Sequence, residues 1–335
     1  VHKQLRTELE DYIKSQYFGK SPILLSALSK HIDDEGLLYQ KPFIESSPAY
    51  VTVPNGIETA SIDPWLKNYF GQLAASGIGV FPSPFAHQIS ALEAASRGEN
   101  LFVATGTGSG KTECFMWPLL AKMAMEARNF KDSWAKRGVR AIIMYPMNAL
   151  VSDQVSRLRR MIGDPEKKFI RIFRSTCGND VRRPQFGMYT GRTPYPGLQP
   201  SKEQDRKLAR TLARMSFPQS DSEKAFFDQL LNEGKIPAKE DMKEFLQGLS
   251  DSRHIPNAED AELITRFEMQ QFCPDILITN YSMLEYMLLR PREQKIWDDT
   301  REWLSLNHDN KLLFVIDEAH MYRGSSGGEV ALLIR

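Results

Sequence analysis

Ten consecutive residues, Ala104-Thr-Gly-Thr-Gly-Ser-Gly-Lys-Thr-Glu113, have the composition needed to hold a triphosphate. Gly106, Gly108 and Gly110 let backbone N–H groups wrap round anionic oxygens without Cβ clashes. Thr105, Thr107 and Ser109 fill out the cradle. A helix starting near Lys111 adds its positive N-terminal end. Lys111 can reach the β and γ phosphates, and the Thr112 hydroxyl can ligate Mg²⁺, with Glu113 following in the first turn. The strict pattern wants glycine five residues before Gly110, where this chain has Thr105. A Gly/Ser/Thr-rich surface turn is the plainer alternative for such a stretch.

A second constellation favours the nucleotide reading. Lys311 is followed by five apolar residues and then by Asp317-Glu-Ala-His320. The apolar run suits a strand buried on both faces of a parallel sheet. Its carboxyl end delivers two carboxylates to the crevice where α/β sheets bind ligands. Asp317 is then placed to hold Mg²⁺, and Glu318 to orient and deprotonate an attacking water. Together the two motifs call for ATP and Mg²⁺.

These residues need strands to carry them and helices to cover the strands. From about residue 81 the pattern alternates. Strands are expected at Leu101–Ala104, Val139–Tyr145, Phe169–Phe173, Gly187–Tyr189, Asp275–Thr279 and Leu312–Ile316. Helices are expected at 89–96, 112–127, 148–161 and 282–289. That rhythm implies an α/β domain with a mainly parallel sheet flanked by helices. Residues 1–80 read as a mostly helical accessory segment, with loop and short strand over 36–63. Residues 81–335 read as the nucleotide-binding domain. A helical insertion interrupts it at about 195–272, with helices at 202–215, 222–232, 239–249 and 258–272.

Composition is that of a globular protein: 335 residues, 41% apolar, 25% charged, formal net charge +1. No apolar run reaches the roughly 18 residues of a membrane span. Three cysteines, Cys114, Cys177 and Cys273, match neither a zinc motif nor a disulfide framework, which suits a reducing cytoplasm. The abrupt end after Gly328–Arg335 reads as a fragment of a longer chain.

The motifs resemble those of superfamily 2 helicases. Thr105 to Glu113 resembles motif I, and Asp317-Glu-Ala-His320 motif II of the DEAH type. Phe85-Ala-His-Gln88 resembles the Q motif, in which a glutamine reads adenine; Phe85 is then a candidate to stack on the base. Tyr145-Pro-Met-Asn-Ala-Leu-Val-Ser-Asp-Gln154 resembles motif Ia, Tyr189-Thr-Gly191 motif Ib, and Ile278-Thr-Asn280 the Thr-Asn motif. The Pro-Met-Asn-Ala-Leu form of motif Ia and Asp317-Glu-Ala-His-Met-Tyr-Arg-Gly324 are similar to the YprA/MrfA branch of DEAH-box DNA helicases. Large helicases of prokaryotic phage-defence systems such as Druantia and DISARM lie near that branch. The resemblance implies a RecA-like P-loop domain and ATP-dependent 3′–5′ movement on DNA. Lys111, Asp317, Glu318 and His320 would be its catalytic set. It also implies a second RecA-like domain with an arginine finger beyond Arg335, so that this fragment alone would be inactive. Other defence or repair subunits are implied as partners. An ATP-binding, DNA-sensing scaffold without unwinding activity is the alternative, and these residues do not separate DNA from RNA.

Between motifs Ia and Ib the chain is basic. Residues 157–192 hold ten Lys and Arg against three acidic residues. Arg182, Arg183 and Arg192 are expected to touch sugar-phosphate, together with Pro146, Asn148, Gln154, Thr190, Gly191, Thr279 and Asn280 at strand ends and helix starts. A solvated face is the alternative for such a charge run.

Overall fold

The structure, a computed structural model, describes residues 2–18, 20–32, 34, 36, 49–106, 108–195 and 201–335. It separates into a unit of Val1–Ala49 and a unit of Tyr50–Arg335. In the first, an α-helix over His2–Ile13 passes into a π-helical turn over Lys14–Phe18. A second helix, Pro22–His31, starts at Pro22, with the Ser21 hydroxyl accepting the Leu24 N–H. Of the loop and short strand expected over 36–63, residues 37–48 lie outside the described residues, which resume at Ala49.

The larger unit is built on five parallel strands: β1 (Ala141–Tyr145), β2 (Phe186–Tyr189), β3 (Glu262–Leu263), β4 (Ile276–Asn280) and β5 (Leu313–Ile316). Their spatial order is β3-β2-β4-β1-β5, every pairing parallel. Alternation along the strands sorts the core into two layers. Ala141, Ile143, Tyr145, Ile276 and Ile278 face one, against the helices Pro64–Ala75, Glu113–Asn129, Asn148–Met161 and Lys168–Cys177. Ile142, Met144 and Leu277 face the other, with Met283, Leu284, Ile296 and Val330 of three further helices. This is the α/β, RecA-like arrangement expected, with helices on both faces of a parallel sheet. Residues 50–80 belong to this core: Leu66, Tyr69, Phe70 and Leu73 are fully buried in it.

Three local expectations are corrected. Phe169–Phe173 is a helix, Lys168–Cys177, not a strand. Phe169, Ile170, Ile172, Phe173 and Cys177 form one buried stripe at helical spacing, while Lys168 and Arg171 point outward. The Asp164 carboxylate accepts the Lys168 and Phe169 N–H groups and starts the helix. Residues 258–272 are not one helix. Glu262 and Leu263 pair with β2 as an edge strand, and a Thr265/Glu268 capping box then opens a short helix over Arg266–Gln271. Leu101–Ala104 joins no ladder. Among the described residues β5 is the last strand on that side of the sheet, so this run finds no partner and Phe102 is left 89% exposed. The other helices of the insertion span Lys202–Ser216, Asp221–Asn232 and Met242–Ser250.

Candidate functional site: a phosphate loop and the carboxyl ends of the sheet

The loop of residues 104–112 is shaped by its own side chains. Thr105, where the strict pattern has glycine, shares a 2.6 Å hydroxyl hydrogen bond with the buried Ser109. That bond closes the loop across its base. Gly108 and Gly110 have φ of +77° and +71°, a region L side chains rarely adopt. At Gly110 space forbids a side chain as well, since a Cβ would lie 2.3 Å from Gln88 Nε2 and 2.9 Å from Glu113 Oε2. Thr107 lies outside the described residues. Lys111 and Thr112 form the turn before the helix Glu113–Asn129, and their carbonyls accept its first N–H bonds, from Cys114 and Met116. The helix therefore starts two residues later than Lys111.

Residues 85–88 brace this loop. The Gln88 side chain is 2% exposed. Its Oε1 accepts the Phe85 N–H at 2.9 Å, and its Nε2 donates to the Gly110 carbonyl at 3.1 Å. His87 Nε2 lies 2.8 Å from the Ser109 carbonyl. An antiparallel bridge between Thr52 and Phe85 brings in Tyr50. Its ring lies 5.5 Å from Phe85 and 5.6 Å from His87. Neither Tyr50 nor the His87 contact was anticipated. Tyr50 lies in no motif, and only its two-residue bridge to the Q-like segment places it here.

The ladder from β1 to β5 runs one residue past β5, through the Asp317 N–H to the Met144 carbonyl. Asp317 accepts the Glu318 N–H at 2.9 Å. Burial raises the Asp317 carboxyl above the usual carboxylate range; the neighbouring Glu318 charge adds to this, while the Glu318 N–H and the charges of Lys111 and Arg157 oppose it. Lys111 of the loop and Asp317 of β5 thus lie within electrostatic reach of each other. Burial and the same Asp317 charge push the Tyr322 hydroxyl up to about 12. Glu318 sits at φ +50°, and His320 Nδ1 lies 3.2 Å from its Oε2. Arg157 ties the Asn148–Met161 helix to the loop through Glu113, at 3.1 Å.

This donor set fits a magnesium nucleotide. Among the described residues no three or more His, Cys, Asp or Glu side chains gather into a metal cage. Mg²⁺ in P-loop sites needs none, being held by one or two protein oxygens plus phosphate and water. Thr112 and Asp317 carry oxygens of the kind such a site calls for.

The neighbouring strand ends form a strip. Asn280 Nδ2 donates to Asn148 Oδ1 at 2.7 Å, joining the ends of β4 and β1, and Asn280 Oδ1 caps the next helix at Met283. Thr279 is fully buried and donates to the Tyr189 carbonyl at 2.7 Å, joining β4 to β2. Thr190 is buried in a turn closed by Thr193, and Arg266 Nη2 donates to its carbonyl at 2.9 Å. Gly191 and Arg192 are exposed, Pro146 and Asn148 partly so, and Gln154 is buried.

The expected phosphate contacts at Arg182 and Arg183 are corrected by their burial. Arg182 forks onto Asp275 at 2.7 and 2.8 Å and stacks on Trp134 at 4.4 Å. Arg183 donates to the Ile162 and Glu259 carbonyls. Most of the basic segment is spent in the same way: Arg159 on Glu262, Arg174 on Glu259, Lys167 on Glu240. The acidic partners lie far along the chain, so a local charge count could not reveal them.

Residues 85–195 match the DEAD/DEAH box helicase family. The chain is 41% identical to Druantia protein DruE of Escherichia coli (strain UMEA 4076-1), over 99% of its own length and 19% of that protein. It is 34% identical to the uncharacterized ATP-dependent helicase YprA of Bacillus subtilis (strain 168), over 24% of this chain and 9% of that protein. Among solved structures, the DUF1998 helicase MrfA bound to DNA aligns with a TM-score of 0.41 and 20% identity, over 93% of this chain and 28% of that one. The chain thus spans about a fifth of the length of DruE. The family match over residues 85–195 and the 41% identity to DruE, with motif I, motif II and the Q-like segment on one parallel-sheet domain, fit a superfamily 2 helicase.

Proposed function

We propose that the protein binds Mg²⁺·ATP between the 104–112 loop and Asp317, and that the full-length protein uses its hydrolysis to move along or unwind DNA. The observation that carries this reading is that the motif I and motif II segments are both tied to β1 and the helix after it, Glu113 by Arg157 at 3.1 Å and Asp317 by its N–H on the Met144 carbonyl. Bound nucleotide would have its phosphates against the loop N–H groups and Lys111, and Mg²⁺ on Thr112 and Asp317. Glu318, with the His320 ring 3.2 Å from its carboxylate, would take the proton of the attacking water. The strip of Asn148, Gly191, Arg192 and Asn280 beside Pro146 would offer side-chain amides, the Gly191 backbone and one exposed guanidinium to a sugar-phosphate backbone. In the full-length protein a second RecA-like domain would supply the remaining positive charge at the γ phosphate. The 41% identity to a Druantia protein supports a role in prokaryotic phage defence, in the cytoplasm.

The test is phosphate release by the full-length protein with and without DNA or RNA. DNA should stimulate turnover, and Lys111→Ala should abolish it with the fold intact. Equal turnover in wild type and Lys111→Ala would refute the assignment of motif I. Nucleotide binding without nucleic-acid-stimulated turnover would instead favour a sensing scaffold.

A further inference from the structure

The positive charge that residues 157–192 spend on carboxylates reappears, unspent, on the insertion. Its first helix, Lys202–Ser216, carries five Lys and Arg against two carboxylates, whereas residues 217–272 carry six against twelve. Cations are therefore concentrated on one helix of an otherwise acidic element. Lys202, Arg206, Lys207, Arg210 and Arg214 are all exposed. Their side chains form no ion pair or hydrogen bond among the described residues. Arg159, Arg174, Arg182 and Arg183, by contrast, are each committed to a carboxylate or a carbonyl.

Spacing puts these cations on one face. Arg206, Arg210 and Arg214 follow one another every four residues, about 6 Å apart along the axis. Lys202 lies one such step before them and Lys207 beside them. The opposite face is the packed one, with Asp205 and Leu212 buried. Glu203 is the one carboxylate of this helix on the outer face, in the first turn, where the helix dipole favours it. The three arginines span ~12 Å, over which one strand of a duplex presents about three or four phosphates. Their planar guanidinium groups can fork onto phosphate oxygens, as an ammonium cannot.

The helix is also tied to the turn that exposes Gly191 and Arg192. The Asp205 carboxylate accepts the Tyr195 hydroxyl at 2.5 Å and the Ser252 hydroxyl at 3.0 Å, and His254 Nε2 lies 3.1 Å from it. Tyr195 follows Arg192 by three residues. Arg266 bonds the same stretch, its guanidinium to the Thr190 carbonyl and its N–H to the Pro194 carbonyl.

We propose that this stripe is a nucleic-acid surface of the insertion, on which Arg206, Arg210 and Arg214, flanked by Lys202 and Lys207, hold the sugar-phosphate backbone of duplex DNA without reading its bases. The insertion then supplies the attraction that the mostly uncharged strand ends do not. The proposal rests on the nucleic-acid reading above and adds a surface outside the helicase motifs.

The experiment is a salt titration of duplex DNA binding by the full-length protein, as wild type and with Arg206→Gln, Arg210→Gln and Arg214→Gln together. The plot of log affinity against log salt should be shallower in the variant by up to ~2.7, at ~0.9 per lost contact. Raising the salt from about 50 to 200 mM should then weaken the wild type about 40-fold more than the variant. Arg206→Lys, Arg210→Lys and Arg214→Lys together should keep the wild-type slope, because the charge stays. The thermal midpoint and the binding of a ribose-labelled fluorescent ATP should not change, since the three side chains have no described partner to lose. An unchanged slope and affinity in the glutamine variant, with the wild type binding DNA, would overturn the proposal. So would an equal loss from Lys295→Gln with Arg301→Gln on the helix Gln294–Leu306, since bulk charge would then account for it. A wild type that binds no DNA at low salt would instead refute the nucleic-acid reading beneath it.

Discussion

Replacing Arg182 by alanine should destabilise the domain and leave nucleic-acid affinity per folded molecule unchanged. The guanidinium makes two hydrogen bonds to Asp275, one to the Trp134 carbonyl, and stacks on the Trp134 ring. Asp275 has no solvent exposure, so losing Arg182 strips a buried carboxylate of its main counter-charge. Breaking such a pair costs about 3–5 kcal/mol. The low end applies here, because Arg140 stays at 3.3 Å and the Gln185 N–H at 2.9 Å to share the charge. At 2–4 °C per kcal/mol, a loss of about 3 kcal/mol lowers the thermal midpoint by ~6–12 °C. The assay is thermal unfolding of wild type and Arg182→Ala, paired with a salt titration of DNA binding well below both midpoints. A phosphate-contacting arginine would give the opposite pattern, an unchanged midpoint and a salt slope shallower by ~0.9. That result would refute the burial argument.

Gly110→Ala should abolish binding of the fluorescent nucleotide while Gly191→Ala leaves the fold and that binding intact. The first substitution meets Gln88 and a left-handed φ that costs roughly 1–2 kcal/mol, and the second has open space. Glu318→Gln should keep nucleotide binding, since Asp317 and Lys111 remain, but stop phosphate release in the full-length protein; normal turnover would remove Glu318 from the role of base.

The fold class was legible because its signal is local. Apolar runs such as Ala141–Tyr145 and the Ile-Leu-Ile at 276–278 are buried on both faces and read as central parallel strands. The helix Asn148–Met161 follows its periodicity residue for residue. Phe169–Phe173 misled because five residues rich in Phe and Ile satisfy a strand as well as a helix. The Asp164 cap that decides the matter lies five residues upstream of Phe169. Thr265-x-x-Glu268 was a readable capping signal within a run taken as one helix. Motifs I and II were legible because glycine, lysine and paired carboxylates are demanded by phosphate and metal chemistry at fixed spacing. Tyr50 was not, since its place depends on a two-residue bridge between segments more than thirty residues apart.

The basic segment shows how long-range pairing can undo a composition argument. Between Arg157 and Arg192 the chain suggests a positive track, yet carboxylates from Glu113, Glu240, Glu259, Glu262 and Asp275 return to neutralise it. Several of those partners come from the insertion or its flank. The insertion is thus fastened to the motif Ia helix and to the sheet: Arg159 forks onto Glu262 at the end where β3 pairs with β2. What remains at the strand ends is mostly uncharged: Asn148, Asn280, the Thr190–Gly191 turn and the exposed Arg192. Backbone N–H groups and amides fix register on a phosphate backbone without large counterion release. If the proposed reading holds, these groups would align a sugar-phosphate backbone more than attract it, and a motor that must release the strand at every step would gain from that.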